Sequence, residues 1–92
     1  MATREKINEL ADISESPLMF LEPERYDEAI VGVAEMFGGT ITVAYDRMRV
    51  IEILMHQDGM DRDEAEEFFS FNIIGSYVGE GTPIYIDTRY AE

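Results

Sequence analysis

The chain has 92 residues, a hydrophobic content of 46%, five Phe, five Tyr and no Cys. This length predicts one small domain, and the apolar content predicts a folded interior rather than an acidic disordered tail. The lack of Cys excludes disulfide frameworks, thiolate metal sites and cysteine nucleophiles. Apolar stretches fall short of a membrane span and no secretory signal is recognised, so we expect a soluble intracellular protein.

The charge is strongly one-sided, since twenty Asp or Glu residues stand against seven Lys or Arg residues, for a formal net charge of −13. Direct binding to nucleic acid or to an anionic membrane is not expected, because such binding needs cations that displace counterions from phosphates. A basic surface on another protein, such as its nucleic-acid groove, is the partner that this charge suits. Solubility alone, or adaptation to salt, is the alternative explanation.

Two helices are predicted in the N-terminal part of the chain. The first covers residues 3–11, within a segment 1–21 that we expect to be partly flexible, ahead of a core over residues 22–87. The second begins at Pro23, which suits a first helical turn, and ends at Phe37 before a Gly-Gly C-cap. Its apolar side is formed by Tyr26, Ala29, Ile30, Val33 and Phe37.

Carboxylates at the start of this second helix form the first acidic surface, which comprises Glu24, Asp27 and Glu28. Negative charge is favourable there because the N-terminus of a helix carries a partial positive charge.

A strand and a third helix follow. Residues 40–45 (TITVAY) alternate and are rich in β-branched side chains, which is typical of a short strand. Asp46 is a good N-cap for a helix over residues 47–57, which Asp58-Gly59 closes.

A fourth helix is predicted to begin at an acidic capping box formed by Asp61 and Glu64 and to run to Val78. Its first turns are acidic, whereas its second half is apolar on nearly every side. We therefore expect the second half to run through the core, with an interface as the alternative. The second acidic surface lies on the first half of this fourth helix and comprises Asp61, Asp63, Glu64, Glu66 and Glu67.

The segment GEGTP (Gly79–Pro83) raises the question of a ligand site. Gly79 stands where a C-cap glycine belongs, and Thr82-Pro83 leads into a strand over residues 84–86. A phosphate loop would place amides and a cation before a helix, whereas this segment follows a helix and carries Glu80. The segment is therefore interpreted as a helix stop and strand start.

The predicted order is α-α-β-α-α-β in a single helix-rich α+β domain over residues 1–92. Its two strands should pair in a small sheet packed by helices, because a lone strand would leave its backbone groups unpaired.

The sequence predicts no catalytic residue, no metal site and no cofactor. In the acidic stretch that begins at Asp58, an EF-hand frame would place Met60 and Arg62 at ligand positions. Glu52 and His56 could form an orienting pair for a general base, but a solvated histidine near a helix C-terminus is commoner.

Residues 26–86 resemble a family of small acidic, largely uncharacterised proteins of tailed phages and prophages. The resemblance is carried by YDEAIVGVAE (26–35), VAYDRMRVIEIL (43–54) and DGMDRDEAEEFFSFNIIGSYVGEGTP (58–83). It implies no catalytic residues. Small acidic phage proteins often act on a host machine by surface complementarity, and anti-CRISPR proteins are the example by analogy.

Two functions are predicted on this basis. The first is a stoichiometric inhibitor or modulator of a host protein in the bacterial cytoplasm, for example an anti-CRISPR or other anti-defence protein. The second is a phage accessory or structural protein that self-associates, burying Phe71, Ile74 or the clasp Leu18–Leu21 in a homodimer. The residues predicted to face a host partner are Glu24, Asp27, Glu28, Asp61, Asp63, Glu64, Glu66, Glu67, Tyr77 and Glu80.

Overall fold

The fold was obtained as a computed structural model that describes residues 19–21, 24–35, 41–75 and 82–90. A mixed sheet of three strands packs against helices, which confirms the predicted α+β class. The described elements are a 3-10 helix (Glu24–Ala29), β1 (Ile30–Glu35), β2 (Ile41–Asp46), α1 (Arg47–Gln57), α2 (Arg62–Phe68), a π-helix (Phe69–Ile74), β3 (Ile84–Ile86) and a C-terminal 3-10 helix (Thr88–Tyr90).

The sheet has the order β1-β2-β3, with β1 antiparallel and β3 parallel to β2. The predicted pairing of the strands near residues 40–45 and 84–86 is therefore confirmed. β2 is the central strand, and both Val43 and Tyr45 are completely buried. The stretch of chain between β2 and β3 holds α1, α2 and the π-helix, as expected for a parallel connection, which needs a crossover.

The helix predicted from Pro23 to Phe37 is wrong, because its first part is a short 3-10 helix and its second part is β1. The apolar spacing of this stretch fits a helix, but Ile30, Val31 and Val33 are β-branched and favour a strand. Pairing with β2 satisfies the backbone groups of β1 and decides the outcome. The sheet consequently has three strands instead of two, and the predicted element order changes accordingly.

The predicted start and end of α1 and the predicted start of α2 are confirmed. The Asp46 carboxylate accepts a hydrogen bond of 3.0 Å from the Met48 amide at the start of α1. Gly59, with a φ of 70°, follows the end of α1 in the left-handed conformation that glycine adopts without steric cost. Asp61 and Glu64 form the capping box, with hydrogen bonds of 2.8 and 3.2 Å between each carboxylate and the other residue's amide.

An aromatic cluster fills the space between the sheet and the helices. The rings of Tyr45 and Tyr85 stack with centroids 6.0 Å apart, and Phe69 meets Tyr85 edge-on at 5.2 Å. The Tyr45 hydroxyl accepts a hydrogen bond of 2.8 Å from the Leu21 amide. Burial raises the pKa of Tyr85 to about 12, in keeping with its partly buried position against the core.

The second half of the predicted fourth helix runs through the core on one side only. Phe69 and Ile73 are buried, but Phe71 is 74% exposed and Ile74 is 51% exposed. The expectation of a central helix is thus wrong for these two residues. The helical segment is a π-helix here and stops at Gly75, where a Cβ atom would lie 2.7 Å from the Phe71 carbonyl oxygen.

Several predictions fall outside the described residues. They concern the helix over residues 3–11, the glycines 38–39 and the end of the fourth helix at 76–79. Within the described part of the chain, no helix has the length and apolar character needed to span a membrane.

Phe69→Ala and Phe71→Ala form a matched pair that tests which side of the π-helix is buried. We expect Phe69→Ala to lower the free energy of unfolding by roughly 3–5 kcal/mol, since it opens a cavity in the aromatic cluster. Phe71→Ala should change it by no more than about 0.5 kcal/mol because the ring faces solvent. Urea unfolding followed by circular dichroism measures both, with Phe69→Leu as a milder variant. Similar losses for the two alanine variants would contradict the assignment.

Candidate protein-binding surface

Arginine side chains are mostly bound by this chain's own carboxylates. Four of the five arginines in the described residues form ion pairs with N–O distances of 2.5 to 2.9 Å. These pairs are Arg25–Asp58, Arg47–Glu66, Arg49–Glu28 and Arg89–Asp87. Because the cations are largely neutralised within the chain, the surplus carboxylates dominate the field outside it.

The first acidic surface lies on the N-terminal 3-10 helix. Glu24 and Glu28 are exposed and Asp27 is half-buried. Glu28 binds Arg49 of α1 at 2.9 Å, and Arg25 of the same 3-10 helix binds the end of α1. These ion pairs dock the 3-10 helix on α1 and partly neutralise its charge. A six-residue 3-10 helix also gives these carboxylates less dipole stabilisation than the long helix that was predicted.

The second acidic surface, on α2 and its cap, divides into three kinds of carboxylate. Asp61 and Glu64 form the capping box, and Glu66 turns inward to bind an arginine of α1. Asp63 and Glu67 are exposed, and their side chains form no hydrogen bond or ion pair within the described residues. These two carboxylates are therefore the ones most available to a partner.

Arg47 links α1 to α2 and to the π-helix. Its guanidinium donates hydrogen bonds of 2.5 and 3.2 Å to the two carboxylate oxygens of Glu66. Its Cζ atom also lies 4.7 Å from the centroid of the Phe69 ring, which is a cation–π contact. The hydrogen bond from Arg47 is the main cause of the lowered pKa of Glu66. Glu66 is thus occupied within the chain.

A groove opens beside α2 and the π-helix, with a volume of about 340 Å³. We call it the α2 groove, and its lining residues are Met60, Glu64, Glu67, Phe68, Phe71 and Asn72. Five of them recur along one side of the helical segment, three and four residues apart. The groove therefore combines two carboxylates with two aromatic rings.

The sequence indicated only part of this groove. Both glutamates were predicted as partner-facing residues, but Met60, Phe68 and Asn72 were not. Phe71 was considered only for a homodimer. The groove could have been predicted from a helical face on which acidic and aromatic residues alternate at spacings of three and four. These residues are Glu64, Glu67, Phe68 and Phe71.

The remaining candidate residues add no second site. Tyr77 and Glu80 lie outside the described residues. His56 is exposed, and Glu52 pairs with Arg49 at 3.4 Å instead of orienting the histidine. Within the GEGTP segment, the Thr82 carbonyl accepts a hydrogen bond of 2.5 Å from Thr42 of β2. Across the described ranges, no three His, Asp or Glu residues are arranged to hold a metal ion.

Comparison with known proteins identifies no relative of this chain. No protein-family model, no curated protein and no solved structure matches it. The resemblance to small phage proteins stays a prediction, and function is inferred from the groove and the charges around it.

Glu66→Gln tests the internal ion pair through its pH dependence. The folded pKa of Glu66 lies below the usual 4.5, so the pair stabilises the protein above that pH and the contribution is lost as pH falls through the folded pKa. At pH 7 we expect the variant to be less stable by roughly 1–2 kcal/mol. This difference should shrink below pH 4.5.

Urea titrations between acidic and neutral pH measure this difference. Glu35→Gln is the matched control, because Glu35 is exposed and its side chain forms no hydrogen bond or ion pair in the described residues. A Glu66→Gln penalty that stays constant as the pH is lowered would show that the pair is not its source.

Proposed function

We propose that this protein acts by stoichiometric binding to another protein, as an inhibitor or modulator of a host protein in the bacterial cytoplasm. An anti-CRISPR or other anti-defence role is the form of this proposal that the phage resemblance favours. The observation that carries it is the α2 groove, where exposed Glu67 adjoins exposed Phe71. A charged rim beside an exposed aromatic ring has the composition of a binding hot spot.

The charge distribution supports a basic partner. The net charge is −13, and most described arginines are already paired within the chain. Long-range attraction would therefore steer a basic protein surface toward this one and speed the encounter. The same field repels phosphates, so we do not propose nucleic acid as the direct ligand.

The α2 groove suits a protein better than a metabolite. Its volume of about 340 Å³ is at the small end of ligand pockets, which span roughly 300–1,000 Å³. It is also open to solvent, whereas small-molecule pockets bury most of the ligand surface. A shallow groove with an exposed ring can instead receive a few side chains from a larger surface.

Self-association in a phage accessory or structural role is the second candidate. It is favoured by exposed apolar side chains on the sheet, which are Val31, Ile84 and Ile86, and by Ile74 on the π-helix. An interface formed by such residues is driven by burial of apolar surface and keeps its strength in high salt. Salt dependence therefore separates the two functions.

Affinity capture from host lysate tests the first function. We expect a host protein to be retained in stoichiometric amount at low salt and released at high salt, because the Debye length falls from about 10 Å at 0.1 M to about 3 Å at 1 M. The double variant Asp63→Asn/Glu67→Gln should retain less of that protein. The control is Glu35→Gln, compared with Glu67→Gln alone, because each removes one exposed carboxylate that forms no ion pair in the described residues.

Host-protein binding would be contradicted if the capture retains only the protein itself. The amount retained would then be the same at low and high salt and for the Asp63→Asn/Glu67→Gln variant. Sedimentation at several concentrations would then establish the homodimer.

A further inference from the structure

The chain binds the guanidinium of its own Arg47 with a carboxylate and an aromatic ring. Arg47 is held at once by the Glu66 carboxylate, through two hydrogen bonds, and by the face of the Phe69 ring at 4.7 Å. A planar guanidinium suits this combination because it offers donors in its plane and stacks on an aromatic ring. The combination needs only a glutamate and a phenylalanine about one turn apart.

The same combination recurs on the outer side of the helical segment. Glu64 and Phe68, and likewise Glu67 and Phe71, are four residues apart, and all four line the α2 groove. The inner pair is occupied by Arg47, but no basic residue is among those that line the groove in the described part of the chain. Glu67 forms no ion pair there, and Phe71 is 74% exposed.

We propose that the α2 groove binds an arginine side chain of the partner protein. The guanidinium donates hydrogen bonds to Glu67 and stacks on Phe71, while an apolar neighbour in the partner packs against Met60 and Phe68. This inference rests on the proposed protein-binding function and names the side chain that the groove recognises. The partner segment therefore carries an arginine next to an apolar side chain, which matches the mixed acidic and apolar lining of the groove.

Arginine fits this groove better than lysine for two physical reasons. A carboxylate and a guanidinium can form parallel hydrogen bonds, whereas an ammonium is a compact point charge without a planar match. A guanidinium is also more weakly hydrated, so it loses less on leaving water to lie over the Phe71 ring.

The test uses three fluorescent versions of one short amphipathic peptide, with leucines and with arginine, lysine or citrulline at the same positions. Fluorescence anisotropy at low salt measures the dissociation constant of each peptide for the full chain. We expect the arginine peptide to bind about 3- to 10-fold more tightly than the lysine peptide. The citrulline peptide has no charge and should bind at least about 10-fold more weakly than the arginine peptide.

Variants assign this preference to the groove. Phe71→Leu keeps an apolar side chain but removes the ring, so it should reduce the preference for arginine while retaining binding of the lysine peptide. Glu67→Gln should weaken both peptides, and the arginine peptide more, because the parallel hydrogen bonds to the carboxylate are lost. Glu35→Gln is the charge-matched control. All three residues are exposed, and unfolding curves verify that the variants fold.

Equal affinity for the arginine and lysine peptides, or an arginine preference that Phe71→Leu does not reduce, would overturn the inference. Such a result would leave the proposed function standing if a host protein is still captured in a salt-sensitive way through α2. Conversely, the groove could select arginine peptides although no host protein is captured. That result would support the inference and contradict the proposed binding to a host protein.

Discussion

Arg47 is the contact that joins α1 to α2 and to the π-helix. Its side chain is only 15% exposed, so its charge must be compensated inside the protein. It is compensated by Glu66 of α2 and by the ring of Phe69 in the π-helix, which in turn contacts Tyr85 of β3. The charge of Arg47 also contributes to lowering the pKa of Asp87 to about 2, after the larger effect of Arg89. One side chain thus joins the start of α1 to α2 and to the π-helix, and Phe69 extends the contact to β3.

The pairing of arginines within the chain determines which charges remain unpaired on the surface. Most cations of the described residues are paired within the chain, so the exposed carboxylates of α2 have no internal partner to neutralise them. One of them, Glu67, lines the same groove as the exposed ring of Phe71, so the acid-and-ring pair that holds Arg47 inside recurs outside. The interaction that stabilises the fold and the interaction proposed for the partner are therefore of the same kind.

Local signals made much of the fold predictable from sequence. Asp46 and Asp61 fixed the starts of α1 and α2, and the alternation of TITVAY identified β2. β1 could not be predicted because its apolar spacing fits a helix equally well, and non-local pairing with β2 decided its structure. The exposure of Phe71 was missed for a different reason. The second half of the predicted helix is apolar on nearly every side, so its sequence alone does not mark which side is buried.

A double-mutant cycle between Arg47→Gln and Glu66→Gln tests the central contact most directly. Urea unfolding at neutral pH gives the free energy of the wild type, both single variants and the double variant. If the two side chains hold the helices together as described, their interaction energy should be about 1–3 kcal/mol. An interaction energy within about 0.3 kcal/mol of zero would mean that the two residues act independently. It would contradict the role of Arg47 as the link between α1 and α2.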